Sequence, residues 1–237
     1  MPRIAIITGA SSGLGKEIAN HLRFHYASVI DWSLEKGVDV REERSVELAV
    51  ARLKLRLADL GEEWTLDTVV NCAGVNSIEF IPKTEVNDWD RLMNTNARGI
   101  FLVAKHTADL LRGGTILNIV SNASHVPMTS SIAYNASKGA AAIMTAQMSR
   151  ELIKTHGITV FAISPNKLRG TRMSEEIDKR VQTLRGWTEE QARTYQLAAL
   201  PAGEETDPET LAEFIAFLLS SKARHKFLAG CDIPYGL

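Results

Sequence analysis

Arg3-Ile4-Ala5-Ile6-Ile7-Thr8-Gly9-Ala10-Ser11-Ser12-Gly13-Leu14-Gly15 is the stretch whose reading decides the fold. Its first half is a short apolar, β-branched run with no polar alternation, the pattern of a strand buried on both faces of a parallel sheet. Its second half is glycine-rich, and Lys16 to Phe24 after it carries a helical pattern. Glycines let the backbone turn sharply and approach a pyrophosphate, while a helix start offers free amides and a positive dipole end to the anion. A glycine cluster alone is common, but strand, glycine-rich turn and helix in that order read as a dinucleotide-binding unit.

Working outward, Ala27 to Ser33 reads as the second strand. An acidic side chain near its end would hydrogen-bond the adenosine ribose of NAD and repel the extra phosphate of NADP. Asp31 and Ser33 fall on one face by alternation, and either can take that place. After a turn at Lys36-Gly37 come Val38-Asp39-Val40, counted as a short third strand, and a charged amphipathic helix from about Glu43 to Leu60. Asp67 to Asn71 is the fourth strand, ending in Asn71-Cys72-Ala73-Gly74. A helical pattern from Trp89 to Leu111 contains Asn96-Ala97-Arg98-Gly99 and stops at Gly113-Gly114. Strand Thr115 to Val120 then delivers Ser121. Strands alternate with helices along the whole chain without repeat or low-complexity linker, which predicts an α/β doubly wound parallel sheet, a single Rossmann-type domain over residues 1–237.

Composition narrows the function classes. Lys plus Arg number 27 against 28 Asp plus Glu, a formal net charge of -1. That balance gives no reason to expect nucleic acid or an anionic membrane as partner. No apolar run approaches the ~18 residues of a membrane span. Cys72 and Cys231 have no metal-type spacing and read as reduced, buried thiols, which suits a cytoplasmic compartment. Of the six histidines (21, 25, 106, 125, 156, 225) only His21 and His25 stand at i,i+4, with no further ligands nearby in sequence, so no metal site is expected.

Tyr134-Asn135-Ala136-Ser137-Lys138 places a phenol and an ammonium one helical turn apart on one face. A free tyrosine titrates near pH ~10, and a neighbouring cation favours the phenolate, so Lys138 is expected to lower the Tyr134 pKa and ready it for proton exchange.

Taken together, Thr8-Gly-x-x-x-Gly13-x-Gly15, Asn71-x-Ala73-Gly74, Asn96, Ser121 and Tyr134-x-x-x-Lys138 resemble, in order and spacing, the soluble single-domain branch of the short-chain dehydrogenase/reductase family, over about residues 2–237. The resemblance implies an NAD(P)-dependent oxidoreductase interconverting an alcohol and a carbonyl. Tyr134 would be the general acid or base, Ser121 would hydrogen-bond the substrate oxygen, Lys138 would hold the nicotinamide ribose, and Asn96 would anchor a water in a proton relay. Cofactor contacts would come from Thr8, Gly9, Ser11, Ser12, Gly13, Leu14 and Gly15, from Asp31 or Ser33, from Asp39 and Val40 at the adenine, and from Asn71, Ala73, Gly74, Tyr134, Lys138, Pro165 and Thr171. The family usually reads Pro-Gly and then a Thr after its next strand. Here Asn166 follows Pro165 and Thr171 arrives one residue late, so Asn166 is expected to tolerate a left-handed backbone and Gly170 to absorb the extra residue.

Substrate identity should reside in a covering segment of about residues 172–205, where Thr188, Glu190 and Gln191 read as a helix start with a capping box. His125 and Met128 are further candidates for the pocket wall. The resemblance also implies a homodimer or homotetramer joined through the helices carrying Asn96 and Tyr134 or through the C-terminal strand, a small-molecule substrate, and NAD or NADP as cofactor. NADP-preferring members place Arg or Lys where this chain has Ser12 and Leu34, so the reading leans to NAD. Alternatives left open are a catalytically silent dinucleotide-binding sensor or scaffold of the same fold, and a reductase of an imine or pterin-like ring.

Overall fold

Alternate residues of the first strand feed two different cores, which is why it shows no polar alternation. In the computed structural model, which describes residues 1–237 apart from residue 62, residues 222–225 and residue 237, Ile4 and Ile6 pack on one side of the sheet with Val69, Leu102, Ile116 and Val160. Ala5 and Ile7 pack on the other with Ile18, Leu117, Phe161 and Leu211. His225 lies outside the described residues.

Six strands, β1 (Arg3–Thr8), β2 (Ser28–Trp32), β3 (Thr65–Asn71), β4 (Thr115–Ile119), β5 (Thr159–Pro165) and β6 (Asp232–Tyr235), form one sheet in the order β2-β1-β3-β4-β5-β6. Every adjacent pair is parallel. The helices are α1 (Gly13–Leu22), α2 (Glu43–Leu60), α3 (Val86–Met93), α4 (Gly99–Thr107), α5 (Ile132–Thr155), α6 (Arg172–Arg185), α7 (Glu189–Ala198) and α8 (Pro208–Leu219). Helix α1 buries Leu14, Ile18 and Leu22 at four-residue spacing, and α8 packs on the same face of the sheet through Leu211, Ile215 and Leu219. Asp207 caps α8 by accepting from the Thr210 N–H, with Pro208 at the first helical position. The capping box at Thr188 and Gln191 forms as read from sequence.

Two expectations need correction. Val38-Asp39-Val40 is not a strand. Parallel pairing needs a crossover of about a dozen residues, whereas only a short helical turn at Leu34–Lys36 and Gly37, at φ 76°, separate it from β2. Val38 and Val40 are nevertheless buried in the core; their apolar pattern reports burial, not pairing. Asp67 to Asn71 therefore belongs to the third strand. The long helix read from Trp89 to Leu111 is α3 and α4 joined by a π turn over Asn94–Arg98. Both cysteines are free, but Cys231 is exposed rather than buried, and Cys72 is half-buried. No helix among the described residues is long and apolar enough to cross a membrane.

A buried polar knot ties the sheet to α8. The Tyr26 hydroxyl lies 2.7 Å from Thr68 Oγ1, 3.2 Å from Asp67 Oδ2 and 3.1 Å from the Leu219 carbonyl, with the Arg3 guanidinium 4.6 Å over its ring. Tyr26→Phe removes the hydroxyl and leaves these buried groups without it, a loss of about 1–3 kcal/mol. Urea unfolding should show that loss as a lower midpoint at unchanged slope; an unchanged midpoint would mean the knot contributes nothing.

Candidate active site

The turn after β1 and the chain leaving β3 touch at backbone distance. Gly9 has φ 70°, and a Cβ there would stand 2.9 Å from Ala73 Cα; one at Gly15 would stand 2.4 Å from the Gly9 carbonyl oxygen. Only glycine fits at either place. Above this junction, at the carboxyl ends of the strands where the strand order reverses between β1 and β3, opens a cavity of about 860 Å³.

One end of the cavity suits a dinucleotide. Gly9, Ser11, Ser12, Gly13, Leu14 and Gly15 line it. Helix α1 starts there with no side-chain cap and no acidic residue in its first turn, so its amides are open to an anion. Ser33 lines the wall too, and its Oγ is buried without a hydrogen-bond partner, a polar atom suited to a ribose hydroxyl or phosphate. Asp31 is not in the wall, although its Oδ1, like Ser33 Oγ, is buried without a hydrogen-bond partner. Asp39 and Val40 line the wall, and Arg41, which sequence reading missed, clamps Asp39 with Nε 2.9 Å from Oδ1 and Nη2 2.6 Å from Oδ2. That hydrogen-bonded guanidinium holds the Asp39 carboxyl below its usual range.

Thr8 and Asn71 act beneath the floor. Thr8 Oγ1 accepts from the N–H groups of Cys72 and Ala73, each at 3.0 Å. Asn71 Nδ2 donates to Asn118 Oδ1 at 2.9 Å, and Asn118 passes a bond of 2.9 Å to Thr145 on α5. Neither Thr8 nor Asn71 is in the cavity wall, whereas Ala73 and Gly74 are.

Side chains from α5 and the β4 exit line the cavity, and the π turn braces them from behind. Lys138 and Tyr134, one turn apart on α5, line it, as does Ser121 at the end of β4. Ser121 stands close enough to Tyr134 for its hydroxyl to favour the phenolate. Lys138 Nζ donates to the Ile119 carbonyl at 2.9 Å and lies 5.9 Å from the Tyr134 ring centroid. Asn96, in the π turn, is fully buried: its Oδ1 accepts from Val75 N and its Nδ2 donates to Val75 O, both at 2.9 Å, and to Ser137 Oγ at 3.0 Å. It fastens the β3 exit to α5 from behind the wall. A Cβ on Gly74 would come 3.5 Å from Asn96 Oδ1 and 3.8 Å from Lys138 Nζ.

Burial controls protonation here. Tyr134 and Lys138 are only 9% and 6% exposed. Desolvation raises the Tyr134 pKa above its ordinary value, and the neighbouring Ser121 hydroxyl opposes this. Lys138 is pulled down to about 8 by the same desolvation. The expected lowering of Tyr134 by Lys138 is thus not what the structure gives: helical spacing puts the two on one face, but the ammonium is turned to the Ile119 carbonyl and burial dominates. Burial also pushes the Cys72 thiol up to about 12.

The β5 exit explains its own irregularity. Gly170 takes φ 65°, and Thr171 caps α6 by accepting from the Ser174 N–H at 3.2 Å while its methyl would lie 3.9 Å from a Cβ on Gly13. Asn166 is not left-handed, contrary to expectation; it earns its place through side-chain bonds, donating to the Gly236 carbonyl at 3.0 Å and accepting from Thr206 N–H at 3.1 Å. Met128 lines the cavity, but His125 turns away to Asp232 at 2.8 Å. Helices α6 and α7 close one side with Ile177, Val181, Arg185 and Tyr195; no motif marked these residues. Outside the cavity, Glu43, Glu47 and His106 gather, with Lys105 Nζ already 2.6 Å from Glu43.

Comparison with known proteins decides the family: the short chain dehydrogenase profile matches residues 3–182. The chain belongs to the short-chain dehydrogenase family. Among its relatives, glucose 1-dehydrogenase 2 of Bacillus subtilis is 31% identical, covering 94% of this chain and 90% of the relative. Inactive 2-(S)-hydroxypropyl-CoM dehydrogenase 2 of Xanthobacter autotrophicus is 33% identical over 82% and 80%. The fold is shared with actinorhodin polyketide ketoreductase, solved with NADPH, at TM-score 0.84 and 24% identity over 99% of this chain and 96% of that one. As a short-chain dehydrogenase the protein is an NAD(P)-dependent oxidoreductase, and the open α1 amides and the unpartnered Ser33 Oγ fit such a cofactor.

The depressed Lys138 has a measurable consequence. Its ammonium is disfavoured by the fold, so the unfolded chain binds the proton more tightly, and stability rises with pH between about 8 and the ordinary lysine value. Lys138→Met lacks this term. Wild type should gain on the order of a few kcal/mol over the variant as pH rises from 7 to 10.5; parallel urea midpoints across that range would contradict the buried ammonium.

Proposed function

We propose that the protein transfers hydride between a nicotinamide dinucleotide and an alcohol or carbonyl substrate, with Tyr134 as the acid/base group. One observation carries the reading: Tyr134, Ser121 and Lys138, from separate turns of the chain, line one cavity, with Ser121 beside Tyr134. The bound dinucleotide would supply the hydride. Tyr134, kept protonated by burial, donates its proton to a carbonyl oxygen as negative charge develops there, and takes one back in the reverse direction. Ser121 donates a second hydrogen bond to that oxygen. Lys138, within reach of Gly74, adds positive charge beside the phenol and holds ribose hydroxyls. Asn96 keeps the β3 exit in register with α5, so that Gly74 and Lys138 face one space. Thr171 and Pro165 close the cofactor end. Similarity to an inactive relative keeps a silent scaffold in view, but all four of Asn96, Ser121, Tyr134 and Lys138 are present here.

NAD is the preferred form in this reading. Glu35 and Asp39 put two carboxylates on the adenosine wall, and Arg41 is already committed to Asp39. A 2′-phosphate there would face like charge. Exposed Phe101 on α4 and Ile143 on α5 support association of copies through those helices, and two free thiols suit the cytoplasm.

Binding of NADH and NADPH, followed by an aldehyde and ketone panel with the preferred form, tests the proposal. NADH should bind at least tenfold more tightly, and Tyr134→Phe should keep cofactor binding while kcat falls about 10²–10⁴-fold. Turnover by the variant at the wild-type rate would remove Tyr134 from the chemistry; tighter binding of NADPH would overturn the cofactor choice.

A further inference from the structure

Six basic side chains line the cavity, and four of them are paired with carboxylates. Arg41 bonds Asp39, Arg91 bonds Asp88, Lys167 bonds Asp178 and Glu205, and Arg172 bonds Glu176. Lys138 is the fifth. Arg185 is the sixth, and among the described residues it has no carboxylate partner. Among the described residues the acidic ones in the wall are Glu35 and Asp39, both on the adenosine side, so the described part of the wall built by α6, α7 and the 126–131 loop is cationic and neutral.

The chain fixes Arg185 at this rim. It is the last residue of α6, where Gly186 takes φ 66° and the Trp187 N–H bonds back to the Gln182 carbonyl, a left-handed helix end that folds the next residue over the last turn. Trp187 and, from α7, Tyr195 then form an edge-to-face pair with centroids 5.1 Å apart. The Arg185 guanidinium lies 4.8 Å from the first ring and 5.0 Å from the second. Its one hydrogen bond among the described residues is to the Thr129 hydroxyl, next to Ser130, whose φ of 59° is rare for a side-chain-bearing residue. A guanidinium has five N–H donors in a planar fork matched to oxyanions; here the ring faces hold it in place and most of the donors are left for a ligand. The same cavity wall carries the apolar side chains of Val126, Met128, Ile177, Val181 and Leu200.

From this we infer that Arg185 is a specificity-determining residue, selecting substrates with an oxyanion, carboxylate or phosphate, on an otherwise apolar body. The inference rests on the proposed oxidoreduction for its substrate: NAD(P)H and a proton convert the ketone of such a molecule to its alcohol, the oxyanion staying unchanged and held by the Arg185 fork.

The test compares methyl-ketone acids CH3CO(CH2)nCO2⁻ of graded length with their methyl esters and with the matching phosphate monoesters, in wild type, R185Q and R185K. Wild type should favour an anion over the neutral ester at least tenfold in kcat/KM; the ratio should fall to about one in R185Q and be partly restored in R185K. Whether carboxylate or phosphate shows the larger ratio identifies the anion. A wild-type ratio near one, or a ratio that R185Q leaves unchanged, overturns the inference while leaving the oxidoreductase reading intact. If no ketone is reduced at all, the oxidoreductase reading fails separately, and Trp187 fluorescence decides for Arg185. A change on adding the acid but not the ester, absent in R185Q and in Trp187→Phe, supports it, and no change overturns it.

Discussion

Thr8 holds the molecule's two halves together. Its buried hydroxyl accepts from two successive amides of the chain leaving β3, and this brings the end of β1 against Ala73 so closely that Gly9 has no room for a side chain. Every other property of the cavity depends on that junction. Because β1 and β3 are neighbours while the chain between them has crossed to β2 and back, their two exits diverge to opposite sides of the sheet, and the space between them is open. The glycine-rich turn fills one side with amides; Gly74 and the residues behind it shape the other.

The second constraint is desolvation. Polar groups in and behind the wall lie where charge is costly, and the fold gives them specific partners: Asn96 the Val75 backbone and Lys138 the Ile119 carbonyl, while Ser121 stands beside Tyr134. The outcome is a tyrosine that keeps its proton and a lysine that releases its own more readily than usual. Both effects arise from depth, not from the spacing of the two residues along α5, and the first leaves the phenol in its protonated form at neutral pH.

Where local sequence determines local backbone, the chain is legible. The β1-turn-α1 unit, the buried strands, the capping box at Thr188 and the left-over residue absorbed by Gly170 follow from apolar runs, glycines and caps. Legibility fails where the decisive quantity is three-dimensional. Val38 and Val40 look like a strand because burial on both sides gives the same apolar pattern, whereas pairing depends on the length of the crossover. Asn166 stands in for a glycine by bonding Gly236 and Thr206, partners far away in sequence. His125 is near the cavity in sequence but is held by Asp232, a partner far away in the chain. Arg185 carries no motif; it stands out only once each neighbouring cation is matched to its carboxylate.

The most direct measurement is the fate of deuterium from NADH deuterated at nicotinamide C4, incubated with the protein and a ketone that it consumes, with the alcohol analysed by mass spectrometry and NMR. Stereospecific delivery requires deuterium on the carbinol carbon from one of the two C4-labelled epimers only, and its loss in Tyr134→Phe. Alcohol without deuterium from either epimer, or equal transfer from both, would contradict hydride transfer in the cavity beside Tyr134.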